Sequence, residues 1–191
     1  MELIVLGLVA GIGFASYALW QKARKDEGEA LTAERKRLSP PADRSPTTMQ
    51  VGDVVQHLGS DFVVEGIVTF SEDGHGARLY RMFDGGGERF LFAKPGGGDP
   101  LLLAVAVVAL DGDPPEALNH DGGAYRLTAR MHGSAIRVGQ LGARKPADKA
   151  RLFEYAGPGP ARLLLVDWGE RIEAFAGERI LTHALEILPG R

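Results

Sequence analysis

The sequence predicts an all-β, antiparallel domain held behind one transmembrane α-helix, and three observations predict it. Between Val51 and Leu188 short apolar runs alternate with Gly, Pro and Asp clusters, the pattern of closely connected antiparallel strands. One strand–turn–strand segment is echoed without gaps 73 residues further on. The chain opens on 18 uncharged residues, Leu3–Trp20, followed at once by basic residues. Together these divide the 191 residues into a transmembrane helix over 1–20, a juxtamembrane helix and Pro-rich tether over 21–50, and a β-rich domain over 51–191.

As a helix, Leu3–Trp20 spans about 27 Å at about 1.5 Å per residue, close to the hydrocarbon thickness of a bilayer. Lipid offers the backbone no hydrogen-bond partners, so a helix is required. Nine strongly apolar residues favour insertion by about 3–5 kcal/mol, less what the Gly, Ser and Tyr residues return. Tyr17 and Trp20 lie at one end, where amphipathic rings prefer the membrane interface, and Lys22, Arg24 and Lys25 flank the same end. Only Glu2 and the amino terminus lie on the other side, so the positive-inside rule puts the rest of the chain in the cytoplasm. A cleaved signal peptide would carry its basic residues ahead of the apolar run; here they follow it. Gly7 and Gly11 form a G-x-x-x-G face on which a second copy or a partner helix could pack.

Asp26–Leu38 is polar, rich in helix formers, acidic early and basic late, which suits a short helix. Pro40, Pro41 and Pro46 then make Ser39–Gln50 an extended tether, about 35 Å long at about 3.1 Å per residue.

In the β-rich part the expected strands are Asp53–Leu58, Phe62–Ser71, Arg78–Asp84, Glu88–Lys94, Leu102–Leu110, Ala124–Met131, Ala135–Gln140, Ala150–Ala156, Ala161–Trp168, Ile172–Phe175 and His183–Leu188. Leu101–Leu110 is continuously apolar, and at ten residues it reads as a buried strand rather than a second membrane span. The echo aligns ARLYRMFDGGGERFLF (Ala77–Phe92) with ARLFEYAGPGPARLLL (Ala150–Leu165). Read as a duplication, it implies two similar β units, small barrels, fused into one body.

Composition excludes several functions. With no Cys there is no disulfide framework, thiol nucleophile or Cys-ligated metal. A formal charge of −3, with 15 basic against 19 acidic residues over 51–191, gives no electrostatic footprint for nucleic acid. The five histidines show no helical ligand spacing, the glycine runs match no phosphate-binding loop, and no nucleophile elbow occurs. Asp111-Gly112-Asp113 and Asn119-His120-Asp121-Gly122 lack the pattern of a calcium loop. No catalytic residue, metal ligand or cofactor is expected.

VGDVVQHLGSDFVVEGIVTF (Val51–Phe70), LFEYAGPGPARLLLVDWG (Leu152–Gly169) and RIEAFAGERI (Arg171–Ile180) resemble, in order and spacing, a bacterial domain of unknown function, number 4178 in that series. Arg78-Leu79-Tyr80 stands where such domains tend to have a tryptophan. The resemblance covers about Val51–Leu188. It implies a β-rich domain, often attached to membrane or envelope-stress proteins, and no catalytic residues.

One patch stands out as a candidate ligand or partner surface. Glu170 and Glu173 flank Trp168 and Phe175, a combination of carboxylates and aromatic faces suited to a cation such as a polyamine. The expected function is a non-enzymatic scaffold that an N-terminal anchor in the inner membrane presents to partner proteins. The alternative is a small-ligand sensor or enzyme with a pocket between two β units.

Overall fold

The computed structural model describes residues 44–142 and 148–190. The expected membrane and juxtamembrane helices lie outside the described residues. Among those residues no helix is long and apolar enough to cross a membrane.

Eleven strands form one antiparallel sheet: β1 (Val54–His57), β2 (Ser60–Glu72), β3 (His75–Phe83), β4 (Glu88–Ala93), β5 (Leu101–Ala106), β6 (Ala117–His120), β7 (Gly123–Gly139), β8 (Lys149–Ala156), β9 (Ala161–Asp167), β10 (Ile172–Arg179) and β11 (Glu186–Leu188). Their order is β11-β1-β2-β3-β4-β5-β10-β9-β8-β7-β6. β2 also pairs with β7, Gly66–Ser71 against Gly139–Ser134, which closes the eight strands from β2 to β7 into a barrel. β1, β11 and β6 lie outside it.

The barrel is built from two equivalent halves. β1–β2 and β6–β7 are both hairpins, turning at Leu58-Gly59 and Asp121-Gly122. Each long strand then carries a bulge at the same place, after Val64 and after Leu127. Beyond the bulge Gly66 pairs with Arg81, as Ala129 pairs with Glu154. Phe90 faces Leu103 across β4–β5, and Leu164 faces Phe175 across β9–β10. The Ala77–Phe92 echo is thus part of a larger repeat, β1–β5 onto β6–β10. The expectation of two fused small barrels is corrected on this point. Each half supplies four strands to a single barrel, because the β5–β10 and β2–β7 pairings complete one shared wall.

Other expectations change in detail. Ala124–Met131 and Ala135–Gln140 are one strand, β7, because Gly133 lets it cross Ser71 closely: a Cβ there would sit 2.0 Å from the Ser71 carbonyl oxygen. β6 was not expected, being four residues of weak apolar pattern, ALNH. The Asn119–Gly122 segment is its turn, with Asp121 and Gly122 both at positive φ, as a two-residue hairpin loop requires. The Leu102–Leu110 run leaves the sheet after Ala106 to cover the second half.

Alternate residues of all eight barrel strands fill the interior, among them Phe70, Leu79, Phe90, Leu103, Leu152, Leu164 and Phe175. Two outer clusters back it. Met49, Val55, Phe62, Val64, Tyr80 and Met82 cover the first half together with Ile180 from the C-terminal segment. Tyr125, Phe153, Tyr155 and Leu163 cover the second half, with Val108 and Leu110 from the segment after β5 packed on them. The tail of each half therefore lies on the outer wall of the other.

At the β1–β2 turn, Leu58 adopts φ 48° with its side chain 88% exposed. A leucine gains nothing there from burial and is strained by the left-handed backbone. Leu58→Asn is expected to raise stability by about 0.5–1 kcal/mol, a gain readable in a urea titration.

Candidate functional site

The structure brings Trp168 and Glu173 together. Trp168 Nε1 donates to Glu173 Oε2 at 3.2 Å, and the ring packs tilted on Phe70 with centroids 5.9 Å apart. Trp168 is 5% exposed and Phe175 1%, both in the barrel interior, while Glu170 is exposed in the turn after β9. Arg171 pairs with Glu173 at 2.9 Å. The aromatic faces are thus taken up by the core rather than presented to a cation. Gly7, Gly11, Tyr17, Trp20, Lys22, Arg24 and Lys25 lie outside the described residues.

The barrel ends are closed by charge. At one end Arg81 is bridged by Glu65 and Glu88, beside Trp168 and Glu173. At the other Lys94 Nζ donates to Glu154 at 2.6 Å. Glu154 and Arg81 are equivalent positions of the two halves, so one site carries opposite charge in the two repeats. A cavity at the Arg81 end, between Val68, Leu79, Phe90, Leu141 and Trp168, measures about 10 Å³, room for no more than about one water. The two halves share one wall, and the larger clefts among the described residues lie on its outer surface, one of them astride the β5–β10 contact between the halves. Among the described residues no three His, Asp or Glu side chains converge as metal ligands.

Among the described residues, two clefts stand out on the outside. One, about 430 Å³, runs over the β5–β10 contact between Arg89, Leu102, Ala104, Pro160 and Glu178. The other, about 360 Å³, is lined by Glu72, Asp113, Pro114, Arg130, His132, Arg151 and Phe153. Its floor is the Phe153 ring, with the Arg130 and Arg151 guanidinium carbons 5.9 and 5.7 Å from the ring centre. Arg151 is held by Asp113 at 2.8 Å and by Asp167, also at 2.8 Å through its Nε, which keeps its guanidinium still more firmly protonated. Arg130 reaches Glu116 at 2.7 Å in a pair whose side chains are 54% and 74% exposed, worth little in water.

Beside this cleft the barrel wall is incomplete. β7 pairs β6 over Gly123–Arg126 and β2 over Ser134–Gly139. Between them its outer edge has one backbone bond, Leu127 N–H to the Glu116 carbonyl at 2.9 Å. Among the described residues, Ala129–His132 pair with β8 alone, and Thr128 is the bulge. The sequence shows none of this locally. The nearest signal is the contrast between a tight Asp73-Gly74 turn after β2 and a long extension after the equivalent part of β7.

Burial pushes up the phenol pKa of Tyr80, and that of Tyr155, whose hydroxyl donates to the Pro115 carbonyl at 2.8 Å. With folded values above the ordinary value of about 10, their stabilisation is whole below pH about 10 and is lost as pH rises through the folded values. Stability is therefore expected to fall more steeply above pH 10 in the natural chain than in a Tyr80→Phe variant, measured by denaturant melts across pH 8–12. Asp99 is shifted the other way, downward, chiefly by the Thr182 N–H at 2.9 Å and then by its hydroxyl, and so pins the C-terminal segment.

No curated protein matches the chain, and no solved structure does. A family model, domain of unknown function DUF4178, matches residues 50–182, which runs from four residues ahead of β1 through β10 to the C-terminal 3-10 turn. That covers both halves of the barrel, and the chain belongs to the DUF4178 family.

Proposed function

We propose that the protein is a non-enzymatic interaction module, anchored in a membrane by Leu3–Trp20 and presenting its barrel on the cytoplasmic side to a protein partner. The observation that carries the reading is the interior filled by large buried side chains such as Phe70, Phe90, Leu164 and Phe175, which leaves the barrel outer surfaces to work with. Tethering by the Pro-rich connector raises the barrel's effective concentration near membrane partners. Gly7 and Gly11 supply a packing face for a second copy or a partner helix. A role in envelope stress belongs to the same reading.

Membranes bearing the full chain, washed in alkaline carbonate, are expected to retain it, and release into the wash overturns the anchor. Mild-detergent purification of the full chain, against one lacking residues 1–38, is expected to recover a protein partner. Partners lost on truncation belong to the helix and those kept belong to the barrel. Recovery of none by either form, with a metabolite bound to the barrel instead, overturns the module.

A further inference from the structure

The repeat shows what the gap in the wall is shaped for. In the first half the edge of β2 beyond its bulge, Gly66–Ser71, is filled by Gly139–Ser134 of β7. The equivalent edge in the second half is Ala129–Ser134 of β7. Only its last residue is met, by Ser71, because β2 turns back at Asp73-Gly74 instead of extending as β7 does. One of two equivalent slots holds a strand and its twin is empty from Thr128 to His132, with the 360 Å³ cleft beside it.

We propose that this edge binds an extended, acidic segment of a partner polypeptide as an added strand, antiparallel to β7. The inference rests on the interaction reading above and names its site. The filled slot supplies the register. There Val138 faces Ile67, Arg137 faces Val68 and Ile136 faces Thr69. The corresponding positions of the empty slot are Arg130, Met131 and His132. An incoming strand therefore sets two alternate side chains beside exposed Arg130 and His132, next to Arg151 across β8, and one between them against half-buried Met131. Carboxylates suit the first two positions, because the ion-pair partner of Arg130 is solvent-exposed, His132 stands beside Arg151, and opposite charges across strands attract. An apolar residue suits the middle one. Glu72 at the open end favours a neutral residue first. Ala129 stands where the filled slot has Gly66, whose missing Cβ would lie 2.2 Å from the Gln140 carbonyl oxygen, so the added strand ends before Ala129. Main-chain bonds hold such a strand and alternate side chains select it.

The test uses the full chain in detergent micelles and three capped peptides: Val-Glu-Val-Glu, which spans Gly133 to Arg130, the same with Lys for Glu, and the Glu peptide N-methylated at alternate residues. The Glu peptide is expected to bind and to slow amide exchange within Thr128–His132. Lys substitution and N-methylation are each expected to weaken binding by on the order of tenfold. A double variant Arg130→Glu, His132→Glu, both exposed, is checked for an unchanged melting midpoint and is expected to reverse the Glu–Lys preference. No binding at about 1 mM peptide, protection elsewhere, or indifference to charge and N-methylation overturns the site. Protein partners of the natural chain and of the double variant are compared in parallel. A partner that the double variant keeps overturns the site while the interaction reading stands. A peptide bound as expected, with no protein partner recovered by either chain, overturns the interaction reading and leaves the edge.

Discussion

Phe175→Ala is expected to cost about 3–5 kcal/mol of stability, the range for removing a buried aromatic ring from a core that can only partly collapse. Phe175 is 1% exposed and packs on Phe90 with ring centroids 4.7 Å apart. Its strand is fixed on both sides, by Leu164 of β9 and Val105 of β5, so the backbone cannot move in to fill the space. A urea or thermal melt reads the loss directly, and Phe175→Leu, which keeps most of the volume, is expected to lose clearly less. The pair also separates two roles for the Trp168–Phe175 region. A residue held for a surface ligand would lose binding with little change in the melting midpoint, whereas a core residue moves the midpoint.

The second large effect is expected at Asp53. It is 1% exposed, yet its carboxylate joins three parts of the chain. One oxygen accepts the Gln50 N–H at 2.7 Å and lies 3.1 Å from Arg44 Nε, and the other accepts the Gly190 N–H at 2.9 Å. Asp53→Ala strands two backbone donors and a guanidinium that is itself largely covered, a loss of about 3–5 kcal/mol. Asp53→Asn keeps one acceptor and is expected to lose about 1–3 kcal/mol. Amide exchange adds a spatial readout: in Asp53→Ala the faster amides should cluster at Gln50, β1, β11 and Gly190, with the far half of the barrel less affected. A uniform increase would mean that the carboxylate is not what ties these ends.

Most of the barrel was legible in the sequence because its turns are chemically explicit. The glycines after Asp84 and Gly157-Pro158-Gly159-Pro160 each end a strand where expected, whereas the strand expected from Arg78 begins at His75, because the turn after β2 needs only Asp73-Gly74. The echo at Ala77–Phe92 was legible because β3 and β8 keep the same interior residues, Ala77 and Leu79 against Ala150 and Leu152, although in β4 and β9 the gapless alignment slips by one and sets outward Leu91 against inward Leu164. The rest of the repeat was not. Only scattered positions such as His57 and His120 coincide between the hairpins, and what they share is backbone geometry, a turn at positive φ and a bulge. β7 read as two strands because a glycine inside a strand looks like a break, and only the Ser71 carbonyl facing it gives the reason. Met49 read as tether but is 1% exposed in the outer cluster, since no local pattern shows that a lone methionine after a Thr pair folds back. The open edge could not be read at all. It follows from a strand continuing in one half and turning back in the other, a difference between distant segments that carries no motif. Trp168 and Glu173 were legible as neighbours, but their burial depends on Phe70, nearly a hundred residues earlier in the chain.

The crossed tails and the paired halves carry an implication for ancestry. In both β5–β10 and β2–β7 each half offers the other the same complementary strand, and each lends the other its wrapping. A polypeptide of one repeat, about Val51 to Leu110, has the complementary strands to assemble as a twofold homodimer, and joining two copies of it end to end gives the present barrel. Once fused, the copies were free to diverge, and opposite charges at Arg81 and Glu154 are the kind of difference that only a fused, asymmetric molecule can hold.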